Sequence, residues 1–353
     1  MYLNLDLSFK RIYSKMKWDS LEDFLDKGSI ILNNEIRHLV EHKRRLRDRI
    51  SKLKGVKERI TSPTEDEYRR ALNLLKEGRV CGIDGTLSVY PTLIGAKCRI
   101  GVVVVNYKWD RVERVIYISD TMLIDSELKD PVKLLERVER VGRVSTLLYK
   151  FIMLYKEREL ATLRDEDWRL VHGPLVPLEM RLGRLGVKGA LTSSLELAKR
   201  LIETESVVGV LSSTVHLRLL SLGYLLNSGE YMYVMDAGDL WRAQKRGIGV
   251  EEPLVDDFIE KYGDKVGIGI YRIGARVYTF QAPKRRFREA ASIVIIDSLN
   301  NRVQGFPLLL SYADSVCRTL LSSEVFKEQI ENTLLLEEGE EGFMHLDERR
   351  LRL

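Results

Sequence analysis

Apolar residues recur at three-four spacing through the first sixty positions: Ile36, Leu39, Leu46, Ile50, Leu53 and Ile60, with Lys43 and Lys57 falling on the same seam. That spacing predicts a helical arm over 20–60 with an interrupted, heptad-like face suited to pairing with another helix. Thr61-Ser62-Pro63-Thr64 breaks the arm, and Thr64-Glu65-Asp66-Glu67 is a capping box opening the next helix. The period then changes. Val80 to Ile83 is a short apolar run ending in Asp84-Gly85. Ile100 to Tyr107 carries four consecutive valines, the pattern of a strand buried on both faces. Lys108-Trp109-Asp110 turns it into Val112 to Ser119, an alternating stretch that fits an antiparallel neighbour.

From there helix and strand patterns alternate. Pro131 to Arg164 is helical, Arg169 to Leu175 a strand, Thr192 to Glu203 a helix, Val207 to Leu211 a strand and His216 to Leu226 a helix. Beyond Asn227 come a strand at Tyr231 to Met235, a helix near Leu254 to Lys261, and strands at Val266 to Ile273, Val277 to Ala282 and Ser292 to Ile296. Gly305-Phe306-Pro307 opens a helix running to about Leu321. A last helix leads to an acidic run, Glu337 to Glu341, and a basic end, Arg349-Arg350-Leu351-Arg352. Three strands followed by alternating helix and strand is the succession of an RNase H-like core. The predicted fold is therefore α/β, an RNase H-like mixed sheet flanked by helices. Composition marks no clean boundary; the pattern divides the chain into an N-terminal helical arm (1–62), a core (63–325) and a charged C-terminal tail (326–353).

Charge changes the picture only locally. The chain of 353 residues has 57 Lys and Arg against 52 Asp and Glu, a net of +5, so a nucleic-acid site must be a local patch. Two segments qualify. Between Arg37 and Arg59 lie ten basic residues and three acids, and Lys284, Arg285, Arg286 and Arg288 flank Phe287. Each suits phosphate contact or a solvated face. Cys81, Cys98 and Cys317 form no CxxC pair, which points to reduced, intracellular thiols. No apolar stretch approaches the roughly 18 residues that span a bilayer, and the N-terminus lacks a secretory pattern, so a cytoplasmic location is expected. No Gly-Lys-Ser/Thr phosphate loop occurs, so no ATPase is expected in this chain. Asp236 and Asp239 suit turn and helix-cap roles, and Asp297 a strand-end turn. His38, His42, His216 and His345 show no ligand spacing.

Three motifs carry a resemblance, in order along the chain. Gly82-Ile83-Asp84-Gly85-Thr86 places a carboxylate at a strand end. Arg169-Leu170-Val171-His172-Gly173-Pro174-Leu175 resembles an apolar strand followed by Asp-Gly-Ser/Pro-Leu. Gly305-Phe306-Pro307-Leu308-Leu309-Leu310-Ser311-Tyr312-Ala313-Asp314 resembles Gly-Tyr-Pro-x-x-Leu followed by Ala-His. Together they resemble the NurA nucleases. The resemblance implies that an Asp, a helix Glu, a second Asp and a His gather around Mn²⁺ (or Mg²⁺), with the Tyr nearby. It further implies DNA as substrate, exonuclease action from 5′ ends with some endonuclease action on single strands, a homodimer, a HerA-type hexameric ATPase partner and a role in DNA end resection.

Carried over by position, Asp84 matches the first Asp. Glu157 best matches the helix glutamate, because Glu157-Arg158-Glu159-Leu160-Ala161 has an apolar-Ala step, and Glu159 is the alternative. Gly85, Gly173, Gly305 and Pro307 keep motif positions. The other three positions depart: His172 stands where the family has Asp, Phe306 where it has Tyr, and Asp314 where it has His. Ser212-Ser213 follow Leu211 where a Lys is frequent. One account is decay to a subunit that keeps the fold and regulates an active paralogue. The other is a reciprocal exchange that leaves the set Asp84, Glu157, His172 and Asp314 as two Asp, one Glu and one His around the metal.

Overall fold

The computed structural model describes residues 20–50, 52, 55, 59–92, 95–123, 131–181, 187–212, 222–245, 252–301 and 304–338. The chain divides into two compact units, Met1–Lys57 and Glu58–Leu353.

In the first unit the arm is one helix, α1 (Leu21–Ile50), whose apolar Ile36, Leu39 and Leu46 are exposed. It stops ten residues earlier than the spacing predicts. Ile60 is not on the seam: Ile60–Thr61 forms a short strand, β1, paired antiparallel with residues 231–232 at the edge of the second unit's sheet. The seam positions Leu53 and Lys57 lie outside the described residues.

The second unit opens with α2 (Glu65–Lys76), and its capping box forms as predicted. Thr64 accepts from the Glu67 N–H, and the Glu67 carboxylate accepts from the Thr64 N–H at 2.8 Å. Strand β2 (Val80–Thr92) runs well past the expected end at Ile83, because β3 (Gly95–Asn106) pairs with it antiparallel along its full length. β4 (Arg111–Ser119) adds to the far side of β3. After the long helix α3 (Pro131–Leu163), β5 (Trp168–His172) returns parallel to β2 with Ile83 beside Val171. The short α4 (Leu178–Arg181) and α5 (Ala190–Glu203) lead to β6 (Val207–Leu211), parallel to β5. That gives the spatial order β4-β3-β2-β5-β6, three antiparallel strands and two parallel ones: the RNase H-like core.

The sheet continues on the β6 side. β7 (Tyr231–Asp236) is followed by helices α6 (Ala237–Lys245) and α7 (Glu252–Tyr262), then by the hairpin β8 (Val266–Ile273) and β9 (Arg276–Pro283). β9 pairs with β6, β8 with β9, and β7 with β8, completing nine strands in the order β1-β7-β8-β9-β6-β5-β2-β3-β4. Helices α8 (Phe287–Leu299), α9 (Leu308–Leu320) and α10 (Ser323–Glu338) end the described chain.

Core packing follows the strand alternation. Val103 and Val105 of β3 join a large cluster with Leu170, Val210, Phe280, and residues of α2, α8 and α9. On the other face Cys98 and Ile100 of β3 meet Tyr149 of α3. Val102 to Val105 are all buried, as the apolar run predicts for a strand covered on both faces.

One expectation changes here, and two further segments are described only in part. Ser292 to Ile296 is helix, not strand: every residue from 290 to 298 is buried within α8, so its sequence shows no polar face to betray a helical period. The helix expected at His216 to Leu226 falls mostly outside the described residues; Gly223–Leu225 is a single 3₁₀ turn. Over its described part the C-terminal segment from 326 belongs to the helix α10. Phe326 is buried under Arg99, and the Tyr90 hydroxyl donates to Glu331 at 2.8 Å. The acidic run beyond Glu338 and the basic end lie outside the described residues. Cys81, Cys98 and Cys317 are free and buried. Among the described residues no helix is long and apolar enough to cross a membrane.

Asp297 is not a strand-end residue either. It sits fully buried in α8 and reaches across to α9, accepting from the Leu309 N–H at 3.1 Å and from the Tyr107 hydroxyl at 2.6 Å. Because Pro307, preceding α9, offers no side-chain cap, Asp297 serves the helix's unsatisfied N–H groups from a neighbouring element. Burial raises its pKa to about 6 despite the hydrogen bonds from Tyr107, Leu309 and Leu308, which lower it. A raised folded value means stability held in full below the ordinary carboxylate value and lost as pH climbs through about 6. Parent and Asp297→Asn should therefore diverge between pH 4 and pH 7, the parent losing about 3 kcal/mol relative to the variant in urea denaturation. Parallel pH profiles would refute this assignment.

Candidate functional site

β2 and β5 stay paired only as far as Ile83 and Val171, so Asp84 and His172 face each other where the two strands part. Asp84 is buried, and its Oδ1 accepts from the Gly85 N–H at 2.9 Å and meets His172 Nδ1 at 3.1 Å. Its Oδ2 is buried with no hydrogen-bond partner. An ionised carboxylate accepts only, so Nδ1 is the protonated imidazole nitrogen in this pair. His172 Nε2 in turn lies 2.8 Å from Ser212 Oγ, just past the end of β6. The parting of β2 from β5 and the end of β6 thus bring Asp84, His172 and Ser212 into line.

The helix glutamate comes from α3. A Cβ on Gly85 would sit 2.6 Å from Glu157 Oε1 and 2.8 Å from Met153, so only glycine lets the helix bring Glu157 beside Asp84. Of the two sequence candidates, Glu157 turns inward and is buried, whereas Glu159 pairs with Lys156 at the surface. Burial, opposed by Arg158 and reinforced by the Asp84 charge, raises Glu157 to about 7. Burial acts to lower His172, but the hydrogen bond and charge of Asp84, with Glu157 and Asp314, outweigh it and raise the imidazole.

Arg158, the next residue of α3, is fully buried. It pairs with Glu157 Oε2 and donates from Nη2 to the carbonyls of His172 and Pro174, at 2.8 Å each. Between those carbonyls Gly173 adopts a left-handed conformation (φ 84°) that turns both toward the guanidinium. The motif glycine is thus required by a turn that Arg158 reads from behind.

Phe306 is buried, with its ring 5.5 Å from that of His172 and 5.3 Å from that of Tyr278. It packs against the imidazole and donates nothing; the Tyr278 hydroxyl is committed to the Gln304 carbonyl. Asp314, on α9, lines the same cleft as Asp84 and His172 but is ion-paired with Arg318 at 3.0 Å. Two cavities of about 490 Å³ each meet at Asp84, His172 and Ser212. One is lined mainly by apolar groups such as Met153, Leu154 and Leu178; the other carries Arg276 and Arg318.

Among the described residues no three His, Cys, Asp or Glu side chains form a ready metal-binding group. Asp84 Oδ2 and the Glu157 carboxylate beside it fit a cation, since a buried, unpartnered carboxylate oxygen lacks the positive partner that burial demands. His172, engaged through both nitrogens, and Asp314, held by Arg318, do not complete such a shell in this arrangement. The basic cluster lies elsewhere. Arg286 stacks on Trp168 at the opposite end of β5, 4.2 Å from the ring. Lys284 pairs with Asp236, Arg285 with Glu205, Arg286 with Glu289 and Arg288 with Glu67. Arg158, Ser212, Arg276 and Arg318 were not among the sequence candidates. Only Ser212 left a trace there, as a departure from a motif.

Arg158 can be tested directly. Arg158→Met should destabilise the fold by roughly 3–5 kcal/mol, since it leaves Glu157 buried without its counter-charge. Adding Glu157→Gln should recover much of that loss, a coupling that a double-mutant cycle in chemical denaturation measures. Additive losses would show the pair to be incidental.

Neither a protein-family model nor a curated protein matches the chain. Among solved structures it is similar to the NurA nuclease from Sulfolobus solfataricus, at 14% identity and a TM-score of 0.47, over 82% of this chain and 97% of that one. It is also similar to NurA bound to dAMP and manganese (11% identity, TM-score 0.45, 84% of this chain and 93% of that one). A third likeness is to Endonuclease V from Bacillus subtilis (9% identity, TM-score 0.33, 75% and 93%). Strand order gives the fold independently of these likenesses: an RNase H-like sheet with a carboxylate where its first strand parts from the neighbouring parallel strand.

Proposed function

We propose that the chain is a NurA-type nuclease that hydrolyses DNA phosphodiesters with a divalent cation, Mn²⁺ or Mg²⁺. The observation that carries this reading is the buried, unpartnered Oδ2 of Asp84 beside Glu157, where β2 and β5 part in an RNase H-like core. A cation held by Asp84 and Glu157 would supply positive charge to a phosphate oxygen. Asp84 Oδ1 orients His172, which takes and returns a proton at Nε2. Arg276 draws the anionic backbone into the cleft, and Phe306 keeps water from one face of the imidazole. Lys284 to Arg288, each neutralised by an acid, are left out of this contact.

Linear DNA should be cut when Mn²⁺ is added, and a chelator should stop the reaction. Asp84→Ala should reduce the rate by about 10²-fold or more, while Glu159→Ala leaves it nearly unchanged. Labelled DNA resolved on a denaturing gel checks all three. A specific observation favours a second reading: Glu157 and Asp314 already hold arginine partners. On that reading the chain is a catalytically degenerate subunit that binds DNA or an ATPase and regulates an active paralogue. Absence of cleavage by the purified chain, alone and with a HerA-type ATPase, selects it.

The assembly belongs to the same proposal: a homodimer, working with a hexameric HerA-type ATPase in DNA end resection. Support comes from α1, whose Ile36, Leu39 and Leu46 stand exposed on one seam. Truncation after Lys57 leaves β1 intact and should shift the mass in light scattering from dimer to monomer. An unchanged dimer would remove the arm from the interface.

A further inference from the structure

Two of the departures from the metal-nuclease pattern, His172 and Ser212, fall on one line of atoms with Asp84. Ser212 Oγ lies 2.8 Å from His172 Nε2, and His172 Nδ1 lies 3.1 Å from Asp84 Oδ1. Asp84 is buried, His172 is covered on one side by Phe306, and Ser212 opens into both cavities. A hydroxyl, an imidazole able to accept its proton, and a buried acceptor-only carboxylate fixing the imidazole tautomer are the parts of an activated nucleophile. Recognition of such a set rests on geometry and roles, and the set here gathers where β2 and β5 part and just past the end of β6.

We infer that Ser212 is the nucleophile of this site and acts on phosphorus, forming a phosphoseryl intermediate with a phosphate ester. Phosphorus is chosen over an acyl carbon because Arg276 lines the same cavity as Ser212, which favours an anionic substrate. In the first step His172 Nε2 takes the Ser212 proton, the Oγ–P bond forms, and the P–O bond to the leaving strand breaks. His172 returns its proton to the departing oxygen. In the second step His172 takes a proton from water, whose oxygen forms the new P–O bond. The Oγ–P bond breaks, and the proton goes back to Ser212. No oxidant or reductant enters. Asp84 Oδ1 positions His172 in both steps and leaves Oδ2 for a cation. DNA as the natural ester rests on the nuclease reading; the activated serine does not.

The test uses the full chain and an alkyl fluorophosphonate, whose tetrahedral phosphorus captures an activated serine with loss of fluoride. Peptide mapping should place the label on Ser212, with none in Ser212→Ala. His172→Ala, checked for folding by its thermal melt, should slow labelling by about 10²-fold or more. Should His172→Ala melt early, His172→Gln keeps a polar side chain and gives the same comparison. An unlabelled Ser212, or labelling at the parent rate without the imidazole, overturns the inference. In parallel, 5′-labelled and 3′-labelled oligonucleotides are incubated with Mn²⁺, quenched in denaturant and run on a gel. A protease-sensitive adduct with the parent, absent in Ser212→Ala, supports the phosphoseryl step. Cleavage by Ser212→Ala at the parent rate overturns it and leaves the nuclease reading standing. Labelled Ser212 with no cleavage of either oligonucleotide keeps the nucleophile and sinks the nuclease reading.

Discussion

The site depends on a positive charge that the chain buries itself. Arg158 lies at the junction of α3 with the end of β5, fully removed from water, and ties Glu157 to the turn that follows His172. It counters Glu157, holds the two carbonyls flanking Gly173, and so determines where β5 stops and His172 begins to lean toward Asp84. Burying a guanidinium is costly unless it is paired and hydrogen-bonded, and here one carboxylate and two carbonyls meet that demand. A protein that needed only a stable core would do as well with an apolar side chain at 158. Retention of the charge makes sense where acids must stand close together beside a cleft.

Around that junction the sheet does the coarse positioning. Parallel β5 and β6 both end at the same edge, beside the point where β2 continues alone along β3. Backbone pairing therefore places 84, 172 and 212 side by side before any side chain acts. The helices then close the cleft from two sides. α3 approaches through the gap left by Gly85, and α9 arrives with its first turn held by Asp297. Rigid strands deliver the reacting groups, and helices deliver their electrostatic surroundings.

Much of this was legible from the chain alone, for reasons that differ by element. The capping box at Thr64, the buried valine strand and the succession of strands and helices each follow from short-range rules, and each formed. α8 was misread because burial on all sides erases the amphipathic period that distinguishes a helix from a strand. β2 was cut short because Asp84-Gly85 has the composition of a turn, whereas a partner strand 20 residues on keeps it extended. In the cleft, Asp84 and His172 were found through motifs. Arg158 was not, because nothing local distinguishes a buried arginine from the other charges of a helix. The basic residues 284–288 misled in the opposite sense: their acidic partners come from positions as distant as Glu67 and Glu205, invisible to a linear reading.

The two-residue strand β1 gives the second unit's sheet an unusual mechanical property. Ile60 and Thr61 are joined to Met232 and Tyr231 by a ladder only two residue pairs long, immediately after the segment that links the arm to the core. A pull exerted through the arm reaches this ladder before it reaches α2 or the central strands. Being short and half exposed, it peels pair by pair under a load that the long ladder between β2 and β3 would resist. Breaking those two residue pairs would leave the ladders of β2 with β3 and β5, and of β5 with β6, intact, and with them the register of Asp84 and His172.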